Sequence, residues 1–192
     1  MSESRIQGVT PKDYKGKVYR STLEANTAET LDALGIPFQY ESRKIILHEG
    51  FRCIYQRDKV RPITYTPDFI LDNIMLECKG FETPEWRLKK KYVFKYLQEK
   101  EPITMFYQIK NSRSQLLQVL DDHWINMGYY IQVTSRPKRK NEMPIIRKYN
   151  SVKEAMLDLK IGNRPTGAIM RSLLGEKDWV YGYNWKLNKI KI

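Results

Sequence analysis

Cysteine and histidine are scarce in this 192-residue chain: Cys53, Cys78, His48 and His123 are the whole supply, scattered at spacings that match no structural zinc site. A zinc-stapled fold is thereby excluded. Long apolar runs are also missing. The longest, such as 103–106 and 69–71, fall far short of the roughly 20 residues that a membrane-spanning helix needs. The opening Met1-Ser2-Glu3-Ser4-Arg5 lacks the basic-then-apolar pattern of a secretory signal, so a cytoplasmic protein with two free thiols is expected. Acidic residues are in short supply too: 22 Asp+Glu stand against 34 Lys+Arg, giving a net charge of +12 and a pI near 9.6. That balance favours a polyanionic partner, nucleic acid first of all. The excess is local, because residues 136–192 hold 14 Lys+Arg against 5 Asp+Glu, or +9, and the remainder holds 20 against 17, or +3.

What is present suffices for a core. Hydrophobic residues make up 41% of the chain and aromatics 12%, while 29% charge keeps the surface wet, so the chain reads as one globular domain with an appendage. Residues 22–34 place Leu23, Ala28, Leu31 and Leu34 at helical spacing, with Gly35 as a stop and Pro37 beyond. Segments 38–41 and 44–47 read as strands, and 51–55 as the hairpin partner of 44–47. Residues 65–71, YTPDFIL, read as a strand reached through Pro67, Asp72-Asn73 as a turn, and 74–79, IMLECK, as the returning strand, ended by Gly80. From 84 to 100, Trp86, Leu88, Tyr92, Val93, Tyr96 and Leu97 recur near a helical period between basic residues, which predicts a basic amphipathic helix. A strand over 103–109, a helix over 114–127 and a strand over 129–133 complete an α/β core.

Residues 136–144 are basic, bracketed by Pro137 and Pro144 and without periodicity. A linker over 136–150 is therefore expected between a domain of 1–135 and a small unit of 151–192. In that unit Ser151 and Glu154 have capping-box spacing for a short helix, and 166–174 predicts a second one closed by Gly175. Two short helices about a turn form a helix-turn-helix suited to DNA, with Trp179, Tyr181, Tyr183 and Trp185 as its small core.

Glu77 and Lys79 alternate on one strand, so a carboxylate and an ammonium leave the same face while Cys78 points the other way. The turn at Asp72-Asn73 folds the hairpin back and brings Asp68 toward Glu77. Adjacent carboxylates repel unless a cation lies between them, and a hard divalent ion, Mg²⁺ or Mn²⁺, suits oxygen ligands and a phosphate substrate. The chemistry expected of such a cluster is polarisation of a phosphate, activation of water and stabilisation of the leaving oxygen, with Lys79 orienting the water or neutralising charge. Phosphodiester hydrolysis is the prediction, with Asp68 and Glu77 as metal ligands.

Pro67-Asp68 followed by Glu77-x-Lys79 resembles the PD-(D/E)XK nuclease signature, which implies a restriction-endonuclease-like mixed sheet flanked by helices. More of the chain follows suit. Tyr19-Arg20-Ser21-Thr22-Leu23-Glu24, Gly35-Ile36-Pro37-Phe38-Gln39-Tyr40-Glu41, Tyr65-Thr66-Pro67-Asp68-Phe69, Glu77-Cys78-Lys79-Gly80 and Ser112-Arg113 resemble, in order, the phage endonuclease I family of Holliday-junction resolvases. The resemblance implies that Glu24 is a helix-borne acidic residue of the site and a further metal ligand, and that Lys79 is the catalytic lysine. It also implies an intertwined homodimer that cuts four-way junctions, and a phage or mobile-element origin. One departure is visible: family members can carry a further acidic residue after the first helix, where this chain has Gln39, with Glu41 two positions on.

Ser151-Val152-Lys153-Glu154-Ala155, the 166–175 segment and Tyr181-Gly182-Tyr183-Asn184-Trp185 resemble the NUMOD-type DNA-binding modules of homing endonucleases. That resemblance implies a second reading, a homing or otherwise site-specific endonuclease aimed by residues 151–192. A third reading is a DNA-binding protein without catalysis, whose acidic cluster is only an ion pair. Candidate phosphate contacts are Arg20, Lys89, Lys90, Lys110, Arg113, Lys138, Arg139, Lys140, Arg164 and Arg171. His48 and His123 read as structural.

Overall fold

The structure is a computed structural model and describes residues 10–55, 59–110, 113–137, 139, 141–162 and 164–190. The chain is mixed α/β, with several small sheets and five helices among the described residues. It divides into two compact units, Met1–Ala25 with Ile36–Asn111, and Asn26–Gly35 with Ser112–Ile192.

The first unit opens with the hairpin of β1 (Lys12–Tyr14) and β2 (Lys17–Tyr19), followed by the start of α1 (Thr22–Ala33). Beyond it lie β3 (Gln39–Tyr40), β4 (Ile45–His48), β5 (Phe51–Arg52), β6 (Lys59–Val60), β7 (Ile63–Tyr65), β8 (Phe69–Leu71), β9 (Ile74–Cys78), α2 (Pro84–Lys100) and β10 (Met105–Ile109). The central sheet has the order β10-β9-β8-β3, parallel between β9 and β10 and antiparallel elsewhere. Asp72 adopts a left-handed backbone, φ 48°, which aspartate tolerates better than most residues, so two residues suffice to join β8 to β9. Parallel pairing of β9 with β10 requires a crossover, and α2 supplies it.

Helix α2 spans 84–100 as its periodicity predicts. Thr83 caps it by accepting a hydrogen bond from the Trp86 N–H, and Pro84 occupies the first turn, where a missing N–H costs nothing. Its buried stripe of Trp86, Val93 and Leu97 packs with Ile45, Tyr65 and Met75. Each such side chain contributes roughly 1.5–3 kcal/mol by leaving water.

The expected hairpin of 44–47 with 51–55 does not form. β4 pairs with β7 and β5 with β6, so the four strands make one interrupted arm. At the interruption the two segments approach so closely that only glycine fits at residue 50, where a Cβ would lie 2.7 Å from the Val60 carbonyl and 3.0 Å from Pro62, and Pro62 has no N–H to give a ladder.

The second unit takes in the later part of α1, then α3 (Arg113–Asp121), β11 (Tyr129–Ser135), β12 (Ile146–Tyr149), α4 (Val152–Asp158), α5 (Thr166–Leu173) and β13 (Tyr183–Lys189). Its sheet has the order β12-β11-β13, entirely antiparallel. The compact units thus divide the chain elsewhere than at 136–150, since β12 lies within that stretch and pairs with β11. Helix α5 packs on α3, so closely at Gly167 that a Cβ there would lie 2.5 Å from the Ser114 hydroxyl. Trp185 is fully buried, and its ring meets Tyr183 edge-on.

Helix α3 stops at Asp121, short of the expected 127, because that buried carboxylate has another use. It accepts hydrogen bonds from the backbone N–H groups of Val152 (2.5 Å) and Lys153 (2.9 Å) at the start of α4, and from Trp124 Nε1 (3.1 Å). Asp121→Ala should therefore cost roughly 3 kcal/mol by stranding buried donors, whereas Asp122→Ala, an exposed neighbour, should stay within about 0.5 kcal/mol. Urea midpoints of the two variants check the contrast, and equal losses would remove the capping role.

Candidate active site

The register of the β8–β9 hairpin decides the geometry. Phe69 faces Leu76 and Ile70 faces Met75, so one step beyond the ladder Asp68 falls opposite Glu77. Both are buried, at 4% and 6% exposure. Asp68 Oδ2 accepts a 2.7 Å hydrogen bond from the Cys78 N–H, and Glu77 Oε2 accepts one of 2.9 Å from the Tyr65 hydroxyl. Two carboxylates are thus held side by side, one by a backbone N–H of β9 and the other by a tyrosine of β7.

Glu24 reaches the same region from the first turn of α1. It forms a capping box with Ser21: the Glu24 N–H donates to Ser21 Oγ (3.2 Å), which donates to Glu24 Oε1 (2.8 Å), while the Arg20 N–H donates to Oε2 (3.1 Å). The Tyr40 hydroxyl donates to the same Oε2 at 2.5 Å. Arg20 bridges the acids, with Nη2 3.2 Å from Asp68 Oδ1 and in direct contact with Glu41. Glu41, one strand over, also donates its N–H to the Asp68 carbonyl.

Lys79 continues β9 past Glu77, its N–H bonded to the Ile109 carbonyl and its Nζ 5.6 Å from the centroid of the Trp86 ring, a cation–π distance. Gln108, opposite Glu77 on β10, ties this corner together: Nε2 donates to the Lys79 carbonyl (3.2 Å), while Oε1 accepts from Trp86 Nε1 and Lys90 Nζ (both 3.3 Å).

Four carboxylates, Glu24, Glu41, Asp68 and Glu77, therefore share the vicinity of two cations, Arg20 and Lys79. Burial pushes the Asp68 carboxyl above the ordinary range, partly offset by the Cys78 N–H bond and driven further by the charge of Glu24. Burial raises Glu77 still more, with the Asp68 charge as the second cause and the Tyr65 hydrogen bond opposing. Tyr65 is raised as well, by burial and then by Glu77. Among the described residues no three His, Cys, Asp or Glu side chains are gathered closely enough to hold an ion as they stand. The donor set nevertheless fits a hard divalent cation: it is all carboxylate oxygen, and its two innermost members resist ionising together for want of positive charge.

The remaining predicted contacts are dispersed. Lys90 is paired with Glu82 at 2.6 Å, Lys89 is half-buried on α2, and Lys110 is exposed just after β10. In the second unit Arg113 pairs with Glu176, Arg139 is exposed, Arg164 lies over the Tyr181 ring, and Arg171 is exposed on α5. Lys138 and Lys140 lie outside the described residues. Sequence reasoning gave no site role to Tyr40, Tyr65 or Gln108, read Trp86 only as an apolar helix position, and noted Glu41 only as an acid two positions beyond Gln39. Two signals were available: Ser21 and Glu24 have capping-box spacing, and a tyrosine in a buried strand needs a partner for its hydroxyl.

Among the described residues no helix is long and apolar enough to cross a membrane. No curated protein and no solved structure matches the chain. A family model does, that of phage endonuclease I, over residues 8–119. That stretch is more than half of the 192 residues and contains Glu24, Asp68, Glu77 and Lys79 with the strands that carry them, and so the chain belongs to the phage endonuclease I family.

Proposed function

We propose that this protein is a metal-dependent DNA endonuclease that hydrolyses phosphodiester bonds in branched DNA, four-way junctions foremost, and does so as a homodimer. The observation that carries the reading is the buried, register-opposed pair of Asp68 and Glu77 with Lys79 on the same strand as Glu77. Membership of a nuclease family and the net charge of +12 support it. The four-stranded sheet with its crossover helix is, on this reading, the restriction-endonuclease-like core.

Asp68 and Glu77 would hold Mg²⁺ or Mn²⁺, with Glu24 as a third ligand once its oxygen leaves the Tyr40 hydroxyl. The bound ion supplies Lewis acidity at the phosphate and lowers the pKa of water there. The chain's own groups do the rest. Tyr65 keeps the Glu77 carboxylate in one orientation, and the Asp68–Cys78 bond does the same for its partner. Lys79 presents an ammonium to the attacking water and to the phosphate oxygens, where charge builds in the transition state. The Trp86 face restricts where that ammonium can go. Arg20 is the counter-charge of the metal-free site and becomes available to a phosphate when the ion takes over its carboxylates. Arg164 and Arg171 of the second unit would bind DNA phosphates in their own right.

Cleavage is tested on an immobile four-way junction and a linear duplex of the same sequence, with Mg²⁺ or Mn²⁺. Selective nicking of the junction is expected, falling on the order of 10³-fold in Asp68→Asn and on the order of 10²-fold in Lys79→Ala, with binding little changed. Cutting of the linear duplex at one position would instead favour a site-specific endonuclease aimed by residues 151–192. Binding without cutting under either metal would leave a DNA-binding protein.

The acid pair also sets a pH dependence. Both carboxyls hold protons more tightly folded than unfolded, so the metal-free protein loses stability as pH rises from about 4, where such groups titrate in the unfolded chain, to about 8, where Glu77 titrates in the fold. Thermal midpoints of the parent and of Asp68→Asn/Glu77→Gln should converge near pH 4 and separate toward pH 8, with the variant the more stable. At pH 8 Mg²⁺ should raise the midpoint of the parent and leave the variant unmoved. Parallel pH curves would refute the assigned burial of charge, and an equal Mg²⁺ response would refute the assigned ligands.

A further inference from the structure

Several cations of the first unit already have acidic partners: Arg20 has Asp68 and Glu41, Arg43 has Glu101, Lys90 has Glu82. Arg52, Lys59 and Arg61 are different. All three are exposed, and none has an ion pair among the described residues. They cluster on the arm of β5 and β6, where Arg52 stands directly opposite Lys59 in the ladder. Like charges across a two-stranded ladder destabilise it, and a two-residue ladder has little stability to spare. The other face of the same pairing holds Phe51 opposite Val60, half exposed. Beyond it Ile54 and Tyr55 are 85% and 89% exposed. An arm that sets cation against cation and bares its apolar end is built for a partner that carries regular negative charge and has apolar surface between the charges.

We propose that the β5–β6 arm is a DNA-binding element, in which Arg52, Lys59 and Arg61 contact the phosphates of a double-helical segment while Ile54 and Tyr55 press into the adjacent groove. The choice of DNA rests on the nuclease reading and on charge: a second copy of this chain would bring another +12 to the same basic surface. Apolar side chains flanked by cations are what minor-groove binders press against base steps. The arm is also continuous with the acid cluster, because β7 leads from it to Tyr65, which holds Glu77. Tyr65 lies five residue steps beyond Val60, a reach of at most about 18 Å at about 3.3–3.6 Å per residue. Along a duplex that is about five base-pair steps. The arm would thus hold the same duplex that is cut.

The test is binding without cleavage, by fluorescence anisotropy in EDTA over a salt series, using a labelled duplex and a labelled four-way junction. Arg52→Gln/Lys59→Gln/Arg61→Gln should bind at least about tenfold more weakly at moderate salt, with the slope of log K against log salt shallower by about 2 to 3. Ile54→Ser/Tyr55→Ser should weaken binding severalfold with the slope unchanged. Thermal midpoints of both variants should not fall below the parent's, since the side chains removed are exposed and two of the cations repel across the ladder. An unchanged slope and affinity in the charge variant overturns the proposal. So does a variant that keeps both but has a lower mass by sedimentation equilibrium, which would assign the arm to a contact between copies. Cleavage of the junction by the parent in Mg²⁺ judges the nuclease reading apart from this. A parent that cuts, with an arm whose loss changes no slope, loses only the arm. A parent that never cuts, but whose slope falls with the arm's charges, loses only the nuclease.

Discussion

The short hydrogen bond from the Cys78 N–H to the Asp68 carboxylate is the constraint around which the first unit is organised. It crosses the hairpin at the point where the ladder ends, so it extends the pairing by one side-chain rung and fixes a charged group beneath the surface. Everything near it answers the cost of that burial. Glu77 is turned toward the Tyr65 hydroxyl, Arg20 folds over Asp68 and Glu41, and Gln108 secures the backbone of Lys79 from the next strand. A hairpin made for stability alone would place apolar side chains at both positions. This one keeps two acids where ionising them is unfavourable, the arrangement expected of a site that waits for positive charge.

Glu24 serves two ends at once. Its capping box with Ser21 starts α1, and its other oxygen receives the Tyr40 hydroxyl from the strand β3. The helix start and the acid cluster therefore share one carboxylate. A substitution there tests folding and chemistry together, which makes Asp68 and Lys79 the cleaner positions at which to separate the two.

Much of this was legible beforehand, for reasons that differ by element. The β8–β9 hairpin and α2 were readable because each is specified by neighbours in sequence: a two-residue turn, alternating side chains, a cap and a 3.6-residue stripe. The fate of 51–55 was not, because the nearest apolar run is the natural partner on local grounds, whereas the partners actually taken, β7 for β4 and β6 for β5, lie farther along the chain. The pairing of β11 with β12 and β13 was hidden in the same way, by the sequence distance between partners. At the site, the acids and the lysine carried a spacing that chemistry could interpret. Tyr40, Tyr65 and Gln108 carried none, since their part depends on which strand lies beside which.

Helix α1 has a consequence of another kind. Its first turn, with Glu24, is counted in the first unit, while Ala28 and Leu31 of the same helix, both fully buried, are counted with the second. A gene fragment ending after β10 would encode every acid of the cluster and yet omit the unit to which most of that helix belongs.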